Sequence, residues 1–166
     1  MTSSHIADWF AGRLPSWFDG PAHIDVDREE ILVVGTLPLD ADSDVTEAYA
    51  EGRVKRFRET TREDRMRIAD EAEARFGRKV AWGAAYADHR FLFTTLSVPV
   101  MTRLRQPERK VLDTLVAAGV ARSRSDALGW CVRWVGQHEE EWITQLRDAL
   151  IEVERLRAEG PPSRTA

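Results

Sequence analysis

An α+β fold is predicted: a small amino-terminal α-β-β-α-β-β domain, then a strand-helix-helix stretch, then a long carboxy-terminal helix. Three observations predict it. Residues 1–96 alternate short β-branched and aromatic runs with stretches whose apolar residues recur at helical spacing. Residues 101–135 hold two helices' worth of sequence punctuated by Pro107, Gly119 and Ser123, residues that start, stop and cap helices. Residues 137–160 repeat apolar side chains in steps of four and three.

Taken in order, Ser3 or Ser4 caps a first helix with an apolar edge of Ile6, Trp9, Phe10 and Leu14, ending near Pro15. Trp17, Phe18, Gly20 and Pro21 form an aromatic loop. His23 to Asp27 and Glu30 to Leu37 read as strands, with a hairpin turning at Asp27-Arg28-Glu29. The carboxylates Asp25, Asp27, Glu29 and Glu30 fall at that tip, where acids are ordinarily solvated rather than catalytic.

Asp40, Asp42 and Asp44 alternate as in a calcium loop, with Glu51 twelfth in the frame. Val45 stands where the loop needs glycine and Glu47 where it needs an apolar residue, so an acidic linker capping a helix from Asp44 or Thr46 is expected. Thr61 and Asp64 have capping-box spacing, and Met66, Ile68, Ala69, Ala72 and Phe76 give the following helix its buried edge until Gly77. Lys79 to Tyr86 and Phe91 to Leu96 read as strands around Ala87-Asp88-His89-Arg90. Helices covering a mixed or antiparallel sheet follow from this order, and strand character runs on almost unbroken to Leu104.

Beyond Pro99, which cannot donate to a ladder, Met101 to Leu104 alternates like a strand. Pro107 opens a helix with the stripe Val111, Leu112, Leu115, Val116, ending near Ala118 before Gly119. Arg122-Ser123-Arg124-Ser125-Asp126-Ala127-Leu128 opens the next, Ser123 capping it and Asp126 completing a capping box; its buried face is Leu128, Cys131, Val132 and Val135. Trp130 and Trp134, offset from that face, suit a helix interface better than a base-stacking platform. Trp142, Leu146, Ala149, Val153 and Leu156 then make a seam, either against the first domain or between subunits, until Gly160-Pro161-Pro162 stops the helix. The expected division is 1–96, 97–136, 137–160 and a tail, 161–166.

The order strand, short helix, glycine turn, Ser-capped helix in residues 100–135 resembles the ribbon-helix-helix family of DNA-binding proteins. The resemblance implies a homodimer whose paired strands enter the major groove. It further implies that Met101, Arg103 and Arg105 face the bases, with Val100, Thr102 and Leu104 toward the core, and that Ser123, Arg124 and Ser125 hold the backbone. An arginine such as Arg103 bonds guanine O6 and N7 together. A Ser-capped helix terminus suits a phosphate.

Charge is distributed to match. The net charge is -4, yet residues 1–52 hold only Arg13 and Arg28 against eleven acids. Positive charge gathers in residues 53–67 and again from Arg103 to Arg124, as nucleic-acid contact requires. Arg53, Lys55, Arg56 and Arg58 are a possible second nucleic-acid patch. One cysteine, Cys131, excludes an internal disulfide; scattered His5, His23, His89 and His138 give no zinc spacing, and no cofactor is expected. The amino-terminal MTSSHIADWF lacks a basic region followed by an apolar core, and no membrane-length apolar run occurs, so a cytoplasmic protein is expected. Phosphate-loop, nucleophile-elbow and HExxH motifs are absent, arguing against an enzyme. The expected function is a dimeric DNA-binding protein, a transcriptional regulator with residues 1–96 as a sensing, docking or oligomerising module. The alternative is a protein-interaction adaptor, or an RNA- or ribosome-associated protein, that uses the helix pair for dimerisation only.

Overall fold

The computed structural model describes residues 3–40 and 45–159. They form α1 (Ser3–Arg13), β1 (His23–Val26), β2 (Glu30–Thr36), α2 (Glu47–Thr60), α3 (Arg62–Phe76), β3 (Lys79–Tyr86), β4 (His89–Leu92), α4 (Gln106–Ala117), α5 (Arg124–His138) and α6 (Glu140–Glu159). The chain divides into two compact units, Met1–Val100 and Met101–Ala166. The mixed α+β class is as expected. Most of the acidic linker, residues 41–44, and the tail from residue 160 lie outside the described residues.

In the first unit the sheet order is β1-β2-β3-β4, with β2 and β3 parallel and both outer pairs antiparallel. Parallel neighbours need a crossover, and here α2 and α3 supply it. Two helices rather than one therefore separate the hairpins, correcting the α-β-β-α-β-β order to α-β-β-α-α-β-β. Register aligns Ile24 with Val33 and Val33 with Trp82, which puts these residues on one face of the sheet. That face carries the core: Ile31, Val33, Trp82, Ala84 and Tyr86 cluster with Ile6 and Phe10 of α1, Val54 of α2, and Ile68, Ala72 and Phe76 of α3.

Local chemistry explains the turns. Asp27 Oδ1 accepts the amides of Glu29 and Glu30, both at 2.7 Å, closing the β1–β2 hairpin where expected. These bonds hold the Asp27 carboxyl below its ordinary range, whereas burial raises that of Glu30. Thr46 caps α2, its hydroxyl accepting the Tyr49 amide at 3.3 Å. Gly77 ends α3 in the left-handed region, φ 67°.

Two expectations fail here. Thr61 makes no capping box with Asp64, because only Thr61 separates α2 from α3; its hydroxyl donates to the Phe57 carbonyl at 2.7 Å and accepts from Arg65 Nε at 3.0 Å. The β3–β4 turn is also tighter than expected, taking only Ala87 and Asp88, with Ala87 at φ 51°. Consequently β4 starts at His89 and ends at Leu92, and residues 93–105 do not continue as a strand.

Gly35 shows how closely the loop after α1 is seated. A Cβ built there meets the Phe18 ring at 2.2 to 2.4 Å. Gly35→Ala is expected to displace Phe18 from its contact with Phe57, now 5.5 Å between centroids, and to lower the unfolding midpoint by about 4 °C or more, as a loss near 1 kcal/mol does for a domain of this size. Calorimetry of the variant measures it.

The second unit buries little by itself. Leu112, Ala121 and Ala127 are its buried residues, with Leu104, Leu115, Val116, Leu128 and Cys131 packed around them. The expected buried face of α5 is correct at Leu128 and Cys131, but Val132 and Val135 remain 65% and 41% exposed. The α6 seam residues Trp142, Leu146, Val153 and Leu156 are exposed too. No helix among the described residues is long and apolar enough to cross a membrane.

Candidate nucleic-acid interface

The segment before α4 has no regular secondary structure and pairs with no strand of the described chain. Arg105 lies in the extended region, φ -80° and ψ 173°, and Pro107 sits in the first turn of α4, where a missing N–H leaves nothing unpaired. Only the end of the segment is anchored. Leu104 packs against the small core of this unit, and Arg109 reaches back to donate from Nη1 to the Leu104 carbonyl at 2.8 Å. Upstream, Val100 is 84% and Met101 98% exposed. Of the three residues expected to face a core, only Leu104 does so within the chain; Thr102, like Val100, is exposed.

Gly119, at φ 74°, reverses the chain between α4 and α5. The next helix starts as the spacing predicts: Ser123 Oγ accepts the Asp126 amide at 3.2 Å. Asp126 returns the contact one residue earlier than a standard capping box, accepting the Arg122 amide at 2.9 Å, and this bond lowers its pKa.

The expected site residues meet different fates. Met101, Arg103 and Arg105 are all exposed along that segment, and Ser125 is exposed at the start of α5. Ser123 spends its hydroxyl on the cap. Arg124 is not free: its Nε and Nη2 donate to Asp113 Oδ1 and Oδ2 at 2.6 and 2.8 Å, tying α5 to α4. Two oxygens accepting a planar fork is the strong form of this pair, and it holds the Asp113 carboxyl below its ordinary range. With its folded pKa depressed, Asp113 favours the folded state above the ordinary aspartate range, and that contribution disappears as pH falls through the lowered value.

The Asp113–Arg124 pair escaped sequence reasoning because its members are eleven positions apart on different helices.

The second patch separates on folding. Arg53 is withdrawn from it, 2.8 Å from Asp40 and 5.5 Å over the Tyr86 ring. Asp40 also accepts from the Tyr49 hydroxyl at 2.9 Å, so an acid that fits the start of a calcium loop instead organises the approach to α2. Arg56 stays exposed. Lys55 and Arg58 turn with Arg62 and Arg65 into a cavity. Arg62 and Arg65 lay in the basic stretch 53–67 but outside the four-residue patch, because the break at Thr61 hides that α2 and α3 turn them to the same side.

Comparison with known proteins divides the chain at the same place. The Rv1265-like protein, N-terminal domain, matches residues 4–92, and the Mb1296 C-terminal domain matches residues 105–157. The chain is 60% identical over 161 residues to the uncharacterized protein Mb1296 of Mycobacterium bovis, covering 96% of this chain and 71% of that one. The same identity and coverage hold for the uncharacterized protein Rv1265 of Mycobacterium tuberculosis. No solved structure matches.

Proposed function

Since the chain belongs to the Rv1265-like family, carrying its amino-terminal domain and the Mb1296 carboxy-terminal domain, we propose that it is a cytoplasmic DNA-binding homodimer of the ribbon-helix-helix kind and a transcriptional regulator. One observation carries this reading. The residues before α4 pair with no strand of the described chain, and α5 and α6 leave an apolar surface uncovered, as one half of a two-chain structure would. A unit this small with so slight a core is rarely stable alone.

A second copy supplies both missing parts at once. Residues 100–104 of two chains pair as an antiparallel ribbon, and Val132 and Val135 of each α5 meet across the two-fold axis. Arg103 then points outward as the base reader, with Met101 and Arg105 beside it. Arg122 at the start of α5 stands near the backbone, and Arg124 stays with Asp113 and holds α5 against α4.

Two variants separate these roles. Arg103→Ala is expected to bring affinity for a selected site toward that for random duplex, because a bidentate arginine–guanine contact discriminates by about 1 to 3 kcal/mol. Arg122→Ala is expected to weaken every duplex alike and to flatten the salt dependence. Binding to selected and random duplexes over a salt series measures both. A dimer that binds no duplex at low salt would instead be the adaptor.

A further inference from the structure

Between α2, α3 and the β3–β4 hairpin lies a cavity of about 750 Å³ formed wholly within the first unit. Its apolar side holds Trp82 and Phe93, both buried, with Phe91 beside them. Lys55 and Arg58 of α2 and Arg62 and Arg65 of α3 line the other side. Among the described residues no carboxylate forms a salt bridge with any of these four cations. Glu51 and Glu59 also line the cavity and are paired with none of them.

Arg65 is the member that surface solvation does not explain. It is 7% exposed. Nε donates to Thr61 Oγ1 at 3.0 Å and Nη2 to the Arg58 carbonyl at 2.6 Å, which leaves Nη1 without an acceptor among the described residues. The guanidinium lies 4.9 Å from the Phe93 ring centroid and 5.9 Å from that of Trp82, and Arg58 lies 5.6 Å from Phe93;. Burial, then the charges of Arg58 and Arg62, push its pKa down to about 10. It stays protonated near neutrality, and the exposed Arg58 and Arg62 add their charge on the same side of the cavity, which favours an anion there. Aromatic faces stabilise the buried guanidinium in part. An anion would add to that, and the apolar residues beside it offer a wall.

We infer that this cavity binds a small organic anion, a carboxylate, sulfonate or phosphate carried on a flat apolar body. The apolar body lies along Met66 and Leu92, both exposed, and Phe91, and the anionic group meets Arg58, Arg62 and Arg65. A few convergent polar groups in a mostly apolar hollow are what such sites use. The inference is independent of the DNA-binding reading, because every wall of the cavity belongs to residues 51–94.

The test is a titration of the full chain followed by proton–nitrogen correlation spectra, with the Trp82 indole signal assigned from its loss in Trp82→Phe. Naphthalene-2-sulfonate is the probe, and 2-naphthol is the same ring without the charge at neutral pH. The sulfonate is expected to shift the Trp82 signal saturably, and Arg58→Gln with Arg62→Gln, both at exposed positions, to weaken it at least about tenfold, the equivalent of 1.4 kcal/mol. Arg65→Met is expected to abolish it. A Trp82 signal unmoved by the sulfonate, or moved equally by 2-naphthol and unaffected by the Arg58 and Arg62 changes, overturns the inference. Should Arg65→Met fail to fold, the double variant decides alone.

Discussion

If the chain is the dimer proposed above, replacing Val132 and Val135 together by aspartate is expected to convert it to a monomer and to abolish DNA binding with it. Both side chains sit on α5 beyond Cys131, the last residue of that helix packed into the unit's own small core. They are exposed in the single chain and covered in the proposed dimer. Burying a valine stabilises by roughly 1.5 to 3 kcal/mol, so losing two per chain weakens association by at least about a hundredfold, at 1.4 kcal/mol per tenfold. Two carboxylates placed in a desolvated interface add to that loss. Neither side chain packs into the unit's own core, so the substitutions act on the contact between copies. Sedimentation equilibrium of the variant, with its circular dichroism as control, measures the change.

Phe10→Ala is expected to be the most damaging single change in the first unit. Phe10 is fully buried and stands edge-on to Trp9 and Trp82, with centroids 4.9 and 6.4 Å away. It is where α1 locks onto the sheet. Truncating a buried phenylalanine costs about 3 to 5 kcal/mol, and about 1 kcal/mol moves the midpoint of a domain near this size by 4 to 8 °C. A fall of more than about 12 °C is therefore expected in the thermal transition of this unit. Calorimetry resolves it, and a shift of only a few degrees would mean that α1 is dispensable to the core.

What the sequence made legible was what its neighbours in sequence determine. The Asp27 turn, the Thr46 and Ser123 caps, and the stops at Gly77 and Gly119 all form where the residues predicted them, because each is closed by groups within five positions. Where a local signal competed with a nearby partner, it lost. Thr61 was drawn to Phe57 and Arg65 rather than to its own helix terminus. Ala87 concealed a turn, since its left-handed backbone is one that glycine or asparagine ordinarily marks. The strand-like run after Phe91 was ended early where Phe93 set its ring against Arg65 and Arg58.

Long-range ion pairs were not legible at all. Asp113 with Arg124 and Asp40 with Arg53 remove one arginine from each expected nucleic-acid surface. Nothing in spacing or composition announces either pair. Cations without an ion pair among the described residues, such as Arg103 and Arg105 in one unit and Arg58, Arg62 and Arg65 in the other, were visible as charge density. Their grouping needed the fold, because the α2–α3 junction carries one cationic face across a break.

In the proposed dimer two copies share one ribbon. Antiparallel pairing of residues 100–104 about a two-fold axis puts Thr102 opposite Thr102 of the second copy, with Cα atoms about 4.5 to 5.5 Å apart, inside the range a disulfide spans. The measurement is mild oxidation of a Thr102→Cys, Cys131→Ser chain. A covalent dimer that forms in high yield and still binds DNA is the predicted result. A chain that stays monomeric under those conditions, with a mass in solution of a single copy, would contradict the account.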